Sequence, residues 1–196
     1  MKARPFLITG LPRSRTAWFA AVASACVPGA ICYHEPTASL SDWEDVFELW
    51  NREDYEWVGI SDAGLGFRLP VIMKRIQPQL LIIERAIGEV ERSLKAATKL
   101  PMNNYCDLLH ARLVEQKNHP LAHCVAYSDL NERGIVTRCL QWLMPNAWVD
   151  DLKLCQFMNF NVQTDLDRTF ALARENGGMA REMMGGDVVQ LRMKET

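Results

Sequence analysis

Four consecutive side chains, Arg13, Ser14, Arg15 and Thr16, put two guanidiniums and two hydroxyls on one short turn. All four donate hydrogen bonds, and together they suit the holding of an oxyanion. Arg85 and, eight positions on, Ser93 repeat that pairing of cation and hydroxyl later in the chain. Proton-transfer chemistry is offered by Tyr33-His34-Glu35-Pro36, where a carboxylate or an imidazole can take a proton from a hydroxyl or an amine. Taken alone, His34 and Glu35 read as a surface turn; beside an anion-holding loop they become candidates for a reaction. Tyr127 adds an aromatic ring able to stack on a base, although an aromatic core residue explains it about as well.

These residues need elements that bring them together. Phe6-Leu7-Ile8-Thr9 is an apolar strand, Gly10-Leu11-Pro12 a tight turn, and a helix opens after it. That order is the geometry of a phosphate-binding loop, in which free backbone N–H groups and a helix N-terminus face an anion. It is not the G-x-x-x-x-G-K-[ST] loop of triphosphatases: counted from Gly10, Arg15, Thr16 and Ala17 stand where Gly, Lys and Ser or Thr are required. The loop suits a singly bridged anion rather than Mg-ATP. Further strands are expected at 30–33, 57–61, 79–84 and 122–127 beside the first at 5–9, and helices at 15–26, 41–50, 66–76, 87–98, 103–118, 132–144 and 164–176. Ser41 with Glu44 reads as a capping box for the second helix, and Thr164 as a cap for the last. Strands interleaved with helices predict an α/β chain. The expected form is a three-layer P-loop-type domain with a central, mostly parallel five-stranded sheet flanked by helices. Ligands of such sheets bind beyond the carboxyl ends of the strands, which selects the loops after residues 9, 33, 61, 84 and 127.

The remaining features narrow the classes. A chain of 196 residues is expected to form one domain, 1–196, with 177–196 as a loose tail or a lid. A net charge of −2 argues against a general nucleic-acid partner, so any anion site must be local. No apolar run has transmembrane length and no leader pattern opens the chain, so a cytoplasmic protein without a membrane partner is expected. The six cysteines form no C-x-x-C pair and no zinc spacing, which points to reduced, mostly buried thiols and no metal site. Segment 37–57, rich in acids and aromatics, reads as an amphipathic surface helix over a Trp/Phe stripe more readily than as an acceptor wall.

Taken together, the motifs resemble the sulfotransferases that use 3′-phosphoadenosine-5′-phosphosulfate (PAPS) and leave 3′-phosphoadenosine-5′-phosphate (PAP). Pro12-Arg13-Ser14-Arg15-Thr16-Ala17-Trp18 looks like that family's first motif. Arg85 and Ser93 keep the spacing of its second, and Tyr127-Ser128-Asp129-Leu130 is similar to its later Tyr-Glu-Asp-Leu, followed by Gln141-Trp142-Leu143. The resemblance spans about residues 5 to 145. It implies that Arg13, Ser14, Arg15, Thr16, Ala17 and Trp18 hold the 5′-phosphosulfate, Arg85 and Ser93 the 3′-phosphate, and that Tyr127 approaches the adenine. It further implies Glu35 as catalytic base, with His34 beside it as a lesser candidate, and Arg13 as stabiliser of the leaving phosphate. A small-molecule or sugar-like acceptor and no metal follow from the same resemblance.

Two departures stand out. Arg15 replaces a Gly and Ala17 replaces a hydroxyl residue. A Cβ at position 15 is expected to require a backbone that is not left-handed. Two other readings remain beside sulfuryl transfer: a P-loop small-molecule or nucleotide kinase, and a non-catalytic protein that keeps a phosphonucleotide pocket.

Overall fold

The computed structural model describes residues 3–38, 40, 42–97, 104–164 and 189–193. Five strands, β1 (Arg4–Gly10), β2 (Ala30–His34), β3 (Trp57–Ser61), β4 (Gln79–Glu84) and β5 (Ala122–Ala126), form one sheet in the order β2-β3-β1-β4-β5. Every pairing in it is parallel, with Leu7 of β1 opposite Ile60 on one side and Leu80 on the other. The strands are nearly continuous apolar runs because both faces are covered.

Alternate residues divide between two cores. Phe6, Ile8, Leu81, Ile83 and Val125 pack against α1 (Thr16–Cys26), α6 (Arg133–Leu143) and α7 (Asp151–Met158). Leu7, Val58, Ile60, Leu80 and Ile82 face α2 (Val46–Leu49), α3 (Leu69–Arg75), α4 (Ile87–Ala97) and α5 (Tyr105–Gln116). The chain is thus a three-layer α/β protein, as expected. Indole N–H groups that donate to backbone carbonyls pin helical layer to sheet, Trp50 to Phe6 and Trp142 to Leu80, and join α1 to α7 within one layer, Trp18 to Phe157. Each satisfies a polar tip that burial would otherwise strand.

Three expectations are corrected. The helix over 41–50 is a 3-10 turn, Trp43–Asp45, followed by the single turn of α2. Ser41 lies outside the described residues, and the box is made by Asp42, which accepts from Glu44 N–H at 3.0 Å, and by Asp45, which accepts from Asp42 N–H at 3.3 Å; Glu44 is not the reciprocating residue. The helix is short because Phe47, Leu49 and Trp50 are drawn into the core while Arg52 is tied to Tyr33 (Nη1 to Oη, 2.6 Å) and paired with Asp54. The helix over 66–76 likewise begins as a 3-10 turn, Gly64–Arg68, and becomes α3 only at Leu69, where Pro70 stands in the first helical turn. Thr164 is the last residue of a strand, β6 (Phe160–Thr164), which pairs antiparallel with β7 (Val189–Met193). Helix 164–176 and most of the tail 177–196 otherwise lie outside the described residues.

The sheet order places the site. From β1 the chain moves toward β2, and from β4 toward β5. The crevice between the carboxyl ends of β1 and β4 is therefore a topological switch point, where open α/β sheets take ligands.

Candidate functional site

The loop leaving β1 is built tightly against β4. A Cβ on Gly10 would lie 2.6 Å from the Ile83 carbonyl oxygen, so only glycine lets the two strand ends approach this closely. Arg13 and Arg15 then both take positive φ, 63° and 61°, while Ser14 between them does not. Two left-handed residues in the turn that opens α1 leave loop N–H groups free to face an anion at the helix N-terminus, as in backbone anion-binding concavities. The expectation that Arg15 avoids the left-handed region is overturned: its φ and ψ are 61° and 22°. The side chain compensates for the strain of that conformation. Arg15 Nη2 donates to Asn131 Oδ1 at 2.8 Å, and its guanidinium lies 4.8 Å from the Tyr127 ring centre. Phe19 N–H donates to the Arg15 carbonyl at 2.9 Å, which closes the first turn of α1.

Ser14 is fully buried, and among the described residues its Oγ has no hydrogen-bond partner. A hydroxyl at a helix N-terminus, buried and unsatisfied, is costly unless a ligand completes it. Thr16 is buried, and its carbonyl accepts from Ser61 Oγ at 2.9 Å. Ala17 has no polar side chain, and the Trp18 indole is committed to Phe157. These two positions contribute to an anion only through the backbone.

The second half of the site comes from β4 and the helix after it. Arg13 Nε donates to Ser93 Oγ at 3.3 Å, joining residues 80 positions apart. Arg85 Nη1 donates to the Arg13 carbonyl, Arg85 Nε reaches Glu89 Oε2 at 3.4 Å, and the Arg85 guanidinium sits 4.1 Å from the Tyr127 ring centre. Arg13, Arg15, Arg85, Ser93 and Tyr127 therefore meet at the switch point. Among the described residues, Glu89 is the one carboxylate within ion-pair distance of these three arginines, and its side chain is half exposed. Such a pair neutralises little, so the cluster presents concentrated positive charge on a chain that is slightly acidic overall.

Glu35 lies across the loop. Its N–H donates to the Ser61 carbonyl at 2.8 Å, which continues the β2–β3 ladder into the turn, and its φ is 43°. Burial pushes its carboxyl up to about 7, the Asp62 charge pushes the same way, and Arg13 opposes both. His34 Nδ1 is 4.0 Å from Glu35 Oε2. Burial pushes that imidazole down to about 4, so at neutral pH the two are not an ion pair. His34 is a neutral neighbour, and Glu35 is the group poised to exchange a proton near pH 7.

Three residues of this region carry no motif. Asp62, fully buried, accepts from Thr37 N–H and Oγ1 on one oxygen and from Gly64 and Leu65 N–H on the other. It ties the turn after Glu35 to the end of β3. Burial raises its own pKa against those donors. The signal was present as an Asp two residues before a Gly, the pattern of an Asx turn. Tyr105, pushed up to about 12 by burial and then by Asp62 and Glu35, packs edge-on against Phe67 at 5.3 Å and forms an apolar wall near the carboxylates. Asn131, which anchors Arg15, was not signalled at all.

The aromatics of segment 37–57 form a stripe against the core, as the favoured reading expects: Phe47 and Trp50 are buried, Trp43 is partly buried, and their rings lie in a chain at 5.6 and 6.1 Å. Among the described residues no helix is long and apolar enough to cross a membrane. No family model and no curated protein matches the chain. Among solved structures, one titled as the structure of the Deinococcus radiodurans tunicamycin resistance protein is similar with a TM-score of 0.48 and 12% identity, over 74% of this chain and 98% of that one.

Proposed function

We propose that this protein is a sulfotransferase that moves a sulfuryl group from PAPS to a hydroxyl or amine of a small-molecule or sugar-like acceptor. The observation that carries the reading is the meeting of Arg13 with Arg85 and Ser93 across the β1–β4 crevice. Two anion holders then lie side by side, one a loop at a helix N-terminus and the other a guanidinium–hydroxyl pair. A nucleotide with separate 5′ and 3′ anions needs that arrangement, whereas a triphosphate chain needs a lysine this loop lacks.

The buried, unpartnered Ser14 Oγ and the two positive-φ arginines fit the 5′ group; Arg85 and Ser93 fit the 3′-phosphate. PAPS when bound supplies an activated sulfuryl group on a phosphate leaving group. The chain's own residues do the rest. Glu35, with a pKa near neutrality, accepts the proton of the acceptor's hydroxyl or amine. Arg13, free to leave Ser93 for a stronger anion, balances charge at the loop as the acceptor attacks. The loop holds the anion in place without reorganisation, and positioning supplies much of the rate.

The test is transfer of label from PAPS across a panel of hydroxyl and amine acceptors. Glu35→Gln is expected to keep PAP affinity and lose about 10²–10⁴-fold in transfer, the usual worth of a positioned base. Transfer at the wild-type rate in Glu35→Gln would remove Glu35 from the mechanism. PAP binding with no transfer to any acceptor would leave a phosphonucleotide-binding protein in place of the enzyme.

A further inference from the structure

Tyr127 is surrounded differently from a residue that waits for a base. Its ring centre lies 4.1 Å from the Arg85 guanidinium and 4.8 Å from that of Arg15. Both contacts are within the range in which a cation gains from the negative face of an aromatic ring. Each arginine is also fixed at a second point, Arg85 on the Arg13 carbonyl and Arg15 on Asn131 Oδ1. The two guanidiniums carry like charge, and the ring they share offsets part of their mutual repulsion, beside the Glu89 carboxylate on Arg85. A base stacking on the ring would have to compete with these cations for it.

We infer that Tyr127 is an anchor for Arg15 and Arg85 rather than a platform for the base, so that the ligand is selected here by its two anions and not by its purine. This rests on the bisphosphate-nucleotide reading of the site. The ring's share in affinity then passes through the arginines to the phosphates. Asn131 does for Arg15 what the Arg13 carbonyl does for Arg85, and Ser93 completes the second anion holder through Arg13.

Calorimetric titration with two probes separates the roles: PAP, and its abasic analogue, tetrahydrofuran 3′,5′-bisphosphate. Tyr127→Leu removes the ring and Tyr127→Phe keeps it. Tyr127→Leu is expected to weaken both probes by the same factor, about tenfold for the loss of two cation–π contacts, and Tyr127→Phe to restore both. Loss of PAP affinity with the abasic probe unchanged would make Tyr127 the base platform and overturn this inference alone. Binding of neither probe to the wild-type protein would overturn the nucleotide reading and this inference with it.

A second measurement needs no ligand. The Arg85 Nε–H resonance of the free protein is expected to carry a ring-current shift that vanishes in Tyr127→Leu and persists in Tyr127→Phe, and that of Arg15, which also lies 6.0 Å from the Trp18 ring centre, to lose only the part due to Tyr127. Shifts that are insensitive to Tyr127→Leu would show that the ring does not hold the arginines, and the anchor would be rejected whether or not PAP binds.

Discussion

At the scale of single residues, Glu35 and Arg15 are held where the local chemistry opposes them. Glu35 titrates near 7, above its ordinary 4.5, so the folded protein keeps a proton that the unfolded chain has released. Its contribution to stability is full below about 4.5 and is lost as pH rises toward 7. His34 runs the other way: with its value near 4 against an ordinary 6.5, the unfolded chain binds the extra proton, and stability rises with pH between those values. The two slopes oppose each other where the windows overlap. Glu35→Gln removes one and exposes the other. Its melting temperature is expected to climb from pH 4.5 to 6.5, level off, and exceed that of the wild type at pH 8 by a few degrees, at roughly 2–4 °C per kcal/mol for a chain of this size. Wild-type transfer should rise with pH through about 7 as Glu35 ionises. A melting temperature of Glu35→Gln that stays below the wild type at pH 8 would place the unfavourable burial elsewhere. Arg15 offers a separate test. Glycine and alanine at this position lose the same contacts to Asn131 and Tyr127, yet only glycine accepts φ 61° without strain. Arg15→Gly should therefore be the more stable of the two by about 1 kcal/mol, the reverse of the order inside a helix, as read by urea denaturation.

At the scale of elements, the parallel strands were legible because each is a short apolar run buried on both faces. The boundaries at 57–61 and 79–84 are those of β3 and β4, and the remaining strands differ by one or two residues. The pieces after β2 and β3 were less legible. The apolar spacing of 41–50 reads as a helix, yet Trp43, Phe47 and Trp50 are packed by tertiary contacts that need only one helical turn. Gly64 and Gly66 stand in the 3-10 turn that precedes α3, and Gly66 lies where a Cβ would meet Leu109 at 2.3 Å, a packing constraint that spacing does not reveal. The conformation of Arg15 is not legible because a Cβ argues against positive φ only until side-chain anchors outweigh the strain, and Asn131 is 116 positions away. The contact that closes the crevice lies at the end of β1. Gly10→Ala should cost about 1–3 kcal/mol of stability, as overpacking does, and should weaken anion binding by displacing the loop from β4. Unchanged denaturation and unchanged PAP affinity in Gly10→Ala would show that the close approach does not matter to the site.

At the scale of the whole molecule, the strand order β2-β3-β1-β4-β5 turns scattered motifs into one place. Arg13, Arg85 with Ser93, and Tyr127 are far apart in sequence and are joined by the rule that ligands lie beyond parallel strand ends and by the order of motifs that the sulfotransferase resemblance supplies. The sheet supplies that end, two helical layers cover its faces, and Glu35 reaches it from the neighbouring strand pair. The surroundings of Glu35 are less legible, because Asp62 and Tyr105 are brought to it by packing and not by spacing. The reading as a whole is tested most directly by calorimetric titration with PAP, against AMP and Mg-ATP as controls, on wild type and Arg85→Ala. The account predicts binding of PAP that AMP does not reproduce, because AMP lacks the 3′-phosphate, and that Arg85→Ala abolishes. Preference for Mg-ATP, or PAP affinity indifferent to Arg85, would contradict it.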